Sequence, residues 1–309
     1  MTSRNAADFP ARVVESFGRH VVVETQDGTR LRAELFGKRL SVVCGDEVTV
    51  RPARAGDAPR VVSVAPRRTL LARTDSRGRT EPLAANLTLL CGVIAPEPTP
   101  DPFVADRYLA AAAYAGIRAA VVVNKCDLPE ARDESFIRLQ EEYRNAGYPV
   151  VTLSAVDRET VAPLAALLEK ELSMLVGQSG VGKSTLTNAL VPESSRPTRS
   201  LSDATGEGRH TTTSTALFRI PTGGELIDSP GVRDFAPALV DDATVQKGWP
   251  EIVNLAAQCR FNNCLHLREP GCAVIAAVEE GRFAQRRYES YKRLLNIMRT
   301  LAPEYERRK

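Results

Sequence analysis

A glycine-rich run near the middle of the chain has the residue types of a phosphate-binding loop. The pattern G-x-x-x-x-G-K-[ST] is matched by Gly177, Gln178, Ser179, Gly180, Val181, Gly182, Lys183, Ser184 and Thr185. The glycines let backbone N–H groups converge on phosphate oxygens, and the helix predicted over Thr185–Leu190 adds its positive dipole end. We expect Lys183 to contact the β- and γ-phosphates and Ser184 to bind Mg²⁺. The loop predicts nucleoside triphosphate binding.

A second motif predicts which base is bound. Asn124, Lys125 and Asp127 form N-K-x-D directly after an apolar run. The carboxylate of Asp127 can accept hydrogen bonds from both N1–H and the exocyclic amino group of guanine, a donor pair that adenine lacks. Ser154 and Ala155 match the S-A element whose backbone contacts the guanine oxygen. Alone, N-K-x-D often marks a helix cap, but beside a phosphate loop it indicates GTP or GDP.

Two further segments have the pattern of nucleotide-sensing switches. Asp228 to Gly231 read D-S-P-G, so Asp228 is expected to hold Mg²⁺ through a water and the Gly231 N–H to contact the γ-phosphate. A threonine run after His210 offers a Mg²⁺ ligand for the triphosphate state, and we favour Thr212 over Thr213. The same run, taken alone, also fits an exposed loop.

His210 is the candidate for positioning the attacking water. Ras-like enzymes use a glutamine directly after the D-x-x-G glycine, and this chain has Val232 there, which cannot hydrogen-bond to water. The neutral imidazole of His210 can accept a hydrogen bond from water near pH 7. Contact with RNA, or capping of a loop, is the alternative role for this histidine.

The order of the motifs is unusual for a GTPase. N-K-x-D and S-A precede the phosphate loop, Thr212 and Asp228, whereas ordinary GTPases begin with the phosphate loop. A circular permutation explains this order, because each motif can still lie at the tip of its own strand. The chain then leaves the GTPase domain directly after the D-x-P-G switch.

A cysteine–histidine cluster near the C-terminus has the spacing of metal ligands. The pattern C-x₄-C-x-H-x₅-C is formed by Cys259, Cys264, His266 and Cys272. Three thiolates and one imidazole are the ligand set of a closed, tetrahedral zinc site, and four protein ligands leave no open position for catalysis. We predict one structural zinc ion. Unrelated buried cysteines with a surface histidine are the alternative.

The surrounding elements predict a multidomain chain. Residues 1–66 contain five short apolar runs between turn signals, typical of an OB-like β-barrel, with an SH3-like or merely structural barrel as the alternative. Residues 67–235 alternate strands and helices, which indicates an α/β P-loop domain with a largely parallel sheet. Residues 236–309 are predicted to be helical around the cysteine cluster. Those helices are expected over Thr244–Gln258, Ala273–Glu280 and Phe283–Leu301.

Composition excludes several classes of protein. The 309 residues carry 41 basic and 38 acidic side chains, so any nucleic-acid contact must come from local patches. Such a patch is predicted between Arg282 and Lys309, where nine side chains are basic. No run is long and apolar enough for a membrane span, and residues 1–17 lack the apolar core of a signal peptide. A soluble, cytoplasmic monomer is expected.

These motifs together resemble one bacterial family, the small ribosomal subunit biogenesis GTPases (ribosome small-subunit-dependent GTPase A). The resemblance rests on the permuted order, G-Q-S-G-V-G-K-S-T, R-H-T-T-T, D-S-P-G-V-R-D-F and the cysteine cluster. It implies GTP hydrolysis stimulated by the 30S subunit and late maturation of that particle through 16S rRNA contacts. It also implies one zinc on the four ligands named above.

Two other functions remain open on sequence grounds. One is an RNA-binding assembly factor whose GTPase has decayed, which the intact Lys183, Ser184, Asp228 and Asp127 argue against. The other is a P-loop enzyme acting on small molecules, such as a kinase, which would need neither a basic tail nor a barrel.

Overall fold

The N-terminal residues form a closed five-stranded barrel. The structure, a computed structural model, describes residues 7–37, 39–53, 57–74, 79–192, 215–229 and 237–301. The barrel strands are β1 (Phe9–Phe17), β2 (His20–Glu24), β3 (Arg30–Leu35), β4 (Glu47–Arg51) and β5 (Arg60–Val64). Their order is β1-β2-β3-β5-β4, and β1 closes the barrel by pairing with β4. Since β3 and β5 run parallel while the other pairs are antiparallel, the OB-like prediction is confirmed.

A hairpin that the sequence did not predict follows the barrel. Strands β6 (Leu70–Thr74) and β7 (Thr80–Ala85) pair with each other in a separate two-stranded sheet. Pro82 lies within β7, and the register shifts opposite it, between Leu71 and Ala72. A proline and several polar residues weaken the alternating pattern by which strands are recognised, so the hairpin is detectable only from its pairing.

The central unit is a mostly parallel sheet covered by helices. Its strands are β8 (Leu89–Ile94), β9 (Arg118–Val123), β10 (Val150–Thr152), β11 (Leu172–Val176), β12 (Thr215–Arg219) and β13 (Glu225–Asp228). They lie in the order β10-β9-β8-β11-β13-β12, and only β12 is antiparallel to its neighbour. Every residue of β8 is buried, as its continuous apolar run predicts for a strand covered on both faces.

Helices connect these strands. They are α1 (Pro102–Tyr114), α2 (Glu134–Asn145), α3 (Ala162–Leu167) and α4 (Lys183–Leu190), with 3₁₀ turns at Pro129–Arg132 and Arg158–Val161. Asp101 caps α1 by accepting a hydrogen bond from the Phe103 N–H, 3.1 Å away, and Pro102 takes the first helical position. In the part of the chain that the structure describes, no helix is long and apolar enough to cross a membrane.

The barrel and the central sheet are one continuous sheet. Strand β1 pairs with β12, with Glu15 opposite Ala216 and Ser16 opposite Thr215. Ion pairs on both sides of this junction join Arg12 to Glu225 and Arg219 to Glu24. The barrel is therefore attached to the two strands that lie between the predicted switches.

The C-terminal unit is helical, but one predicted helix is two. In place of the single helix predicted over Thr244–Gln258, the structure has α5 (Asp242–Gln246) and α6 (Pro250–Ala256). They are followed by α7 (Ala273–Glu279) and α8 (Gln285–Leu301). Pro250 lacks an N–H and its ring clashes with a preceding helical turn, so it begins α6 instead of continuing α5. The break also brings Gly248 against α1, where a Cβ on Gly248 would lie 2.6 Å from the Cβ of Ala110.

Helix α8 docks on the central unit through a buried ion network. The Asp106 carboxylate on α1 is inaccessible to solvent and accepts hydrogen bonds from Arg286 (2.7 Å) and Arg287 (2.8 Å). Arg287, which is 1% exposed, also donates to Glu251 of α6, and Arg286 donates to Glu142 of α2. The C-terminal unit is therefore held on α1 and α2 as well as by the chain that follows the second switch.

The contacts of helix α8 involve many residues of the predicted basic patch. Each basic side chain of α8 has a partner within the protein, in two cases a buried one. The more exposed Lys292 and Arg299 pair with Glu289 and Asp242, and Arg293 lies over the ring of Phe103. Arg286 and Arg287 are therefore directed into the protein, whereas Arg282, Arg293 and Arg299 of the predicted patch remain exposed. Contact of this patch with nucleic acid stays a prediction. Residues 307–309 lie outside the described residues.

We expect Asp106→Asn to destabilise the C-terminal unit strongly, because it leaves two arginines beside a neutral amide in a buried site. Removing one partner of a buried pair typically costs about 3 kcal/mol of unfolding free energy or more. The measurement is chemical denaturation followed by fluorescence of Trp249, the single tryptophan, which is 1% exposed and contacts Tyr291 of α8.

Asp242→Asn is the matched control, since it neutralises an aspartate that pairs with Arg299 of the same helix at an exposed site. This change should cost less than about 1 kcal/mol. Equal unfolding midpoints for the two variants would contradict the importance of the buried network.

Candidate functional site

The nucleotide motifs meet at one edge of the central sheet. In the parallel strands, Ile94 pairs with Val123, Val123 with Thr152, and Met174 with Ile227. The loops that follow β8, β9, β10, β11 and β13 therefore emerge at the same edge, the carboxyl edge, where α/β sheets bind ligands. The permuted chain order leaves this convergence intact.

Asn124 joins three of these loops. Its Nδ2 donates to the carbonyl oxygen of Val181 in the phosphate loop at 2.8 Å. Its Oδ1 accepts from the Ala155 N–H of the S-A element at 2.9 Å. The side chain is 1% exposed, so water cannot replace either bond. The structure brings together Asn124, Ala155 and Val181, as the sequence predicted from three separate motifs.

The glycines of the phosphate loop are required by close approach. Gly182 has φ +94°, and a Cβ there would lie 2.2 Å from Nδ2 of Asn124. Gly177 has φ +141°, and a Cβ there would lie 2.3 Å from the carbonyl oxygen of Val93. Any side chain at either position would clash with Asn124 or Val93 and displace the phosphate loop from these residues.

The lysine of the loop lies across the loop itself. The ammonium of Lys183 donates to the carbonyl oxygens of Gly177 and Gln178, each at 2.7 Å. An ammonium held there is surrounded by the backbone that would bind phosphate oxygens. Ser184 and Thr185 are exposed in the first turn of α4, at the positive end of the helix.

Asp127 is oriented by the S-A element. The hydroxyl of Ser154 donates to Oδ1 of Asp127, and the N–H of Ser154 donates to the hydroxyl of Thr160 at 2.9 Å. Asp127 itself is exposed, which leaves the rest of its carboxylate available to a ligand. Thr160 was not among the predicted site residues. An S/T-turn signal at Asp157–Thr160 is the sequence feature that could have indicated it.

A proline-rich loop before α1 also contacts the phosphate loop. The Gln178 carboxamide accepts from the Asp101 N–H at 2.9 Å and donates to the Thr99 carbonyl oxygen at 3.1 Å. Lys125, with φ +62°, donates to the carbonyl oxygen of Glu97 at 2.9 Å. The sequence predicted Gln178 and Lys125 as nucleotide contacts, and in the structure both also hold this loop in place.

The Mg²⁺ side of the site is described only in part. Asp228 is the last residue of β13 and lies at the carboxyl edge, beside the strand that leads into the phosphate loop. Next to it, the hydroxyl of Thr215 donates to that of Ser229 at 3.2 Å. The predicted His210, Thr212 and Gly231 lie outside the described residues.

The four predicted zinc ligands lie together. Their ligand atoms are all within 4.8 Å of one another. Tetrahedral zinc with Zn–S bonds of about 2.3 Å and Zn–N bonds of about 2.0 Å requires S–S separations of about 3.8 Å and S–N separations of about 3.5 Å. Cys259 Sγ lies 3.9 Å from Cys272 Sγ, and His266 Nδ1 lies 3.5 and 3.3 Å from these two sulfurs. The donor set and its spacing fit a zinc ion.

Protonation in this cluster also fits a metal site. Burial lowers the pKa of His266, which favours the neutral imidazole that ligates metals. Burial raises the pKa of the Cys264 thiol, and a metal cation bound there would oppose this shift by stabilising the thiolate. Burial of Glu269 opposes ionisation, but backbone N–H groups of the loop outweigh it and lower the pKa of this carboxyl to about 2. Glu269 is thus ionised, and its carboxylate accepts hydrogen bonds from backbone N–H groups of the loop.

Comparison with known proteins agrees with this geometry. The family model described as RsgA GTPase matches residues 64–237. The small ribosomal subunit biogenesis GTPase RsgA of Pseudomonas fluorescens is 43% identical over 288 residues, 92% of this chain and 84% of that protein. This chain belongs to the RsgA GTPase family. The protein of the same name from Pseudomonas aeruginosa is 42% identical, over 93% of this chain and 85% of its own length.

Two solved structures share the fold of this RsgA-family chain. The structure of YjeQ from Thermotoga maritima matches with a TM-score of 0.73 and 28% identity, covering 94% of this chain and 99% of that chain. The structure of YloQ, titled a circularly permuted GTPase, has the same TM-score with 21% identity and covers 99% and 100%. The prediction of a barrel, a permuted P-loop domain and a helical C-terminus is therefore confirmed.

Guanine selectivity in this RsgA-family chain should reside in Asp127. We expect Asp127→Asn to weaken GTP binding about 100-fold, since one of two hydrogen bonds to a charged acceptor is lost, at about 1.5 kcal/mol or more, and the new amide donor faces a donor of guanine. Xanthosine triphosphate should become the preferred ligand, because its carbonyl complements the new amide donor. Dissociation constants for both nucleotides, measured by calorimetry, provide the check.

Asp133→Asn is the matched control, because Asp133 is an exposed aspartate of a neighbouring loop whose side chain caps no helix. An unchanged ratio of the GTP and xanthosine triphosphate constants in Asp127→Asn would refute the assignment.

Proposed function

We propose that this chain binds and hydrolyses GTP during late maturation of the small ribosomal subunit, with hydrolysis stimulated by the 30S particle. The observation that carries the proposal is the bonding of Asn124, which assembles the guanine and phosphate loops in a chain of the RsgA family. Relatives 43% identical over most of their length are named small ribosomal subunit biogenesis GTPases.

The proposed chemistry is positioning plus charge stabilisation. The phosphate loop holds the triphosphate through backbone N–H groups, and Lys183 contacts the β- and γ-phosphates. Ser184 and Asp228 would hold Mg²⁺, which neutralises charge developing on the transferred phosphoryl group; Thr212 would join them in the triphosphate state. Asp127 selects guanine, and Ser154 fixes the orientation of its carboxylate.

We assign particle recognition to the flanking units. The barrel, within residues 1–66, and the zinc-binding unit, within residues 236–309, would contact 16S rRNA on either side of the GTPase unit, residues 67–235. Both flanking units contact the GTPase unit beyond their covalent connection to it. The barrel does so through the β1–β12 pairing, and the zinc-binding unit through the hydrogen bonds to Asp106. The protein would act as a cytoplasmic monomer with one zinc ion and no membrane contact.

GTP turnover with no ribosome, with 30S and with 50S subunits tests this function. We expect slow turnover alone, strong stimulation by 30S and none by 50S. Lys183→Ala provides the background, because it removes the phosphate-contacting charge. Equal stimulation by both subunits would refute ribosomal specificity. Turnover no higher than that of Lys183→Ala would indicate a decayed GTPase, and phosphate transfer to a small acceptor would indicate a kinase.

We further propose that His210 positions the attacking water, since Val232 cannot. His210→Ala should lose most of the 30S-stimulated turnover while GTP affinity and 30S binding stay unchanged. His210→Gln should recover part of the rate, because its amide can still hydrogen-bond to water. If His210→Ala binds GTP and 30S normally and turns over at the stimulated wild-type rate, another group positions the water.

A further inference from the structure

Gln246 makes two hydrogen bonds to the metal-binding loop, the segment from Cys259 to Cys272 that carries the four ligands, although it lies outside that segment. This residue ends α5 and is thirteen positions before the first ligand, Cys259. Its Nε2 donates to the carbonyl oxygen of Cys264 at 3.1 Å, and its Oε1 lies 3.0 Å from Nε2 of His266. The carboxamide thus contacts the backbone of one ligand and the ring of another.

The orientation of this carboxamide determines the histidine tautomer. A carbonyl oxygen such as that of Cys264 only accepts, so the Gln246 nitrogen must face it and the Gln246 oxygen must face His266. That oxygen also only accepts, so the proton of the neutral ring must be on Nε2. The lone pair is then on Nδ1, which lies 3.5 and 3.3 Å from the sulfurs of Cys259 and Cys272. The ring therefore has the Nε2–H tautomer, which is the one that a metal ion bound at Nδ1 requires.

No other described contact acts on the ring in this way. His266 is 1% exposed and has φ +58°, so both its ring and its backbone need support from the protein. Tyr288 and Tyr291 of α8 donate to the carbonyl oxygens of His266 and Leu265, and Glu269 accepts from N–H groups of the loop. These groups hold the backbone, whereas Gln246 contacts the imidazole itself.

We propose that Gln246 is a positioning residue of the zinc site, which fixes the Nε2–H tautomer of His266 and so strengthens metal binding; this rests on the zinc site proposed above. Groups that orient metal-ligating histidines typically change metal affinity by about 10- to 100-fold when removed. The preceding residue of α5 is held on the GTPase unit, because Tyr114 of α1 donates to the Val245 carbonyl oxygen at 2.9 Å.

Two substitutions separate the acceptor role from packing. Gln246→Met keeps most of the side-chain volume but removes both hydrogen bonds, and it should weaken Zn²⁺ affinity about 10- to 100-fold in competition with a chelator. Gln246→Glu keeps an acceptor for the His266 ring and should stay within a few-fold of wild type. Gln258→Ala is the control, because Gln258 is an exposed glutamine directly before Cys259.

A second measurement reports the tautomer directly. The chain has three histidines, so ¹⁵N-histidine labelling gives few signals, and the zinc-loaded protein should show a slowly exchanging Nε2–H on His266. That proton should exchange faster in Gln246→Met and remain protected in Gln246→Glu and Gln258→Ala. A general loosening of the fold would not produce this pattern, because it would not depend on whether residue 246 keeps an acceptor for the His266 ring.

The outcomes distinguish the inference from the function on which it rests. Wild-type protein that does not bind one Zn²⁺ per chain would refute the zinc site itself. A zinc-binding wild type with Gln246→Met matching Gln258→Ala in affinity and in His266 proton exchange would overturn the role of Gln246. Failure of Gln246→Glu to retain affinity would also overturn it, because the bond to Cys264 would then be the one that matters.

Discussion

The buried carboxamide of Asn124 is the interaction on which the nucleotide site depends. One side chain satisfies the Val181 carbonyl and the Ala155 N–H, two backbone groups that have no water alternative. Its position also explains why residue 182 must be glycine. Three loops of the site are thereby joined by the two hydrogen bonds of one side chain.

The circular permutation leaves the arrangement of the nucleotide motifs unchanged, but it changes which other parts of the chain are attached to them. Carboxyl ends of parallel strands share an edge whatever their order in the chain, so each motif keeps its neighbours. What differs is that strand β1 of the barrel extends the sheet at β12, and Arg12 pairs with Glu225 at the start of β13. The barrel therefore contacts the strand that ends at Asp228 as well as its neighbour β12.

Local sequence patterns predicted most of this fold and missed what depends on distant partners. Apolar runs, glycine stops and motif spacing located the central strands and α1. Motif spacing also selected the four clustered Cys and His residues, and Asn124, Ala155 and Val181, which the structure brings together. The same reasoning counted Arg286 and Arg287 in a basic patch and could not show that they are buried, because their acceptor, Asp106, is about 180 positions away. The contact of Gln246 with His266 was missed for the same reason: a glutamine has no distinguishing pattern until the fold places it beside a ligand.

Helix α8 shows why buried polar contacts matter beyond their net stability. Apolar packing alone would allow a helix to rotate or slide, because hydrophobic contacts have little directionality. Arg287 must reach both Asp106 and Glu251 while Tyr288 and Tyr291 reach carbonyls of the metal loop. A one-residue shift of α8 would leave a buried guanidinium without its acceptors, which is far more costly than a lost apolar contact. These polar groups therefore fix one orientation of α8. In that orientation the same helix contacts both the central unit and the backbone of the metal loop.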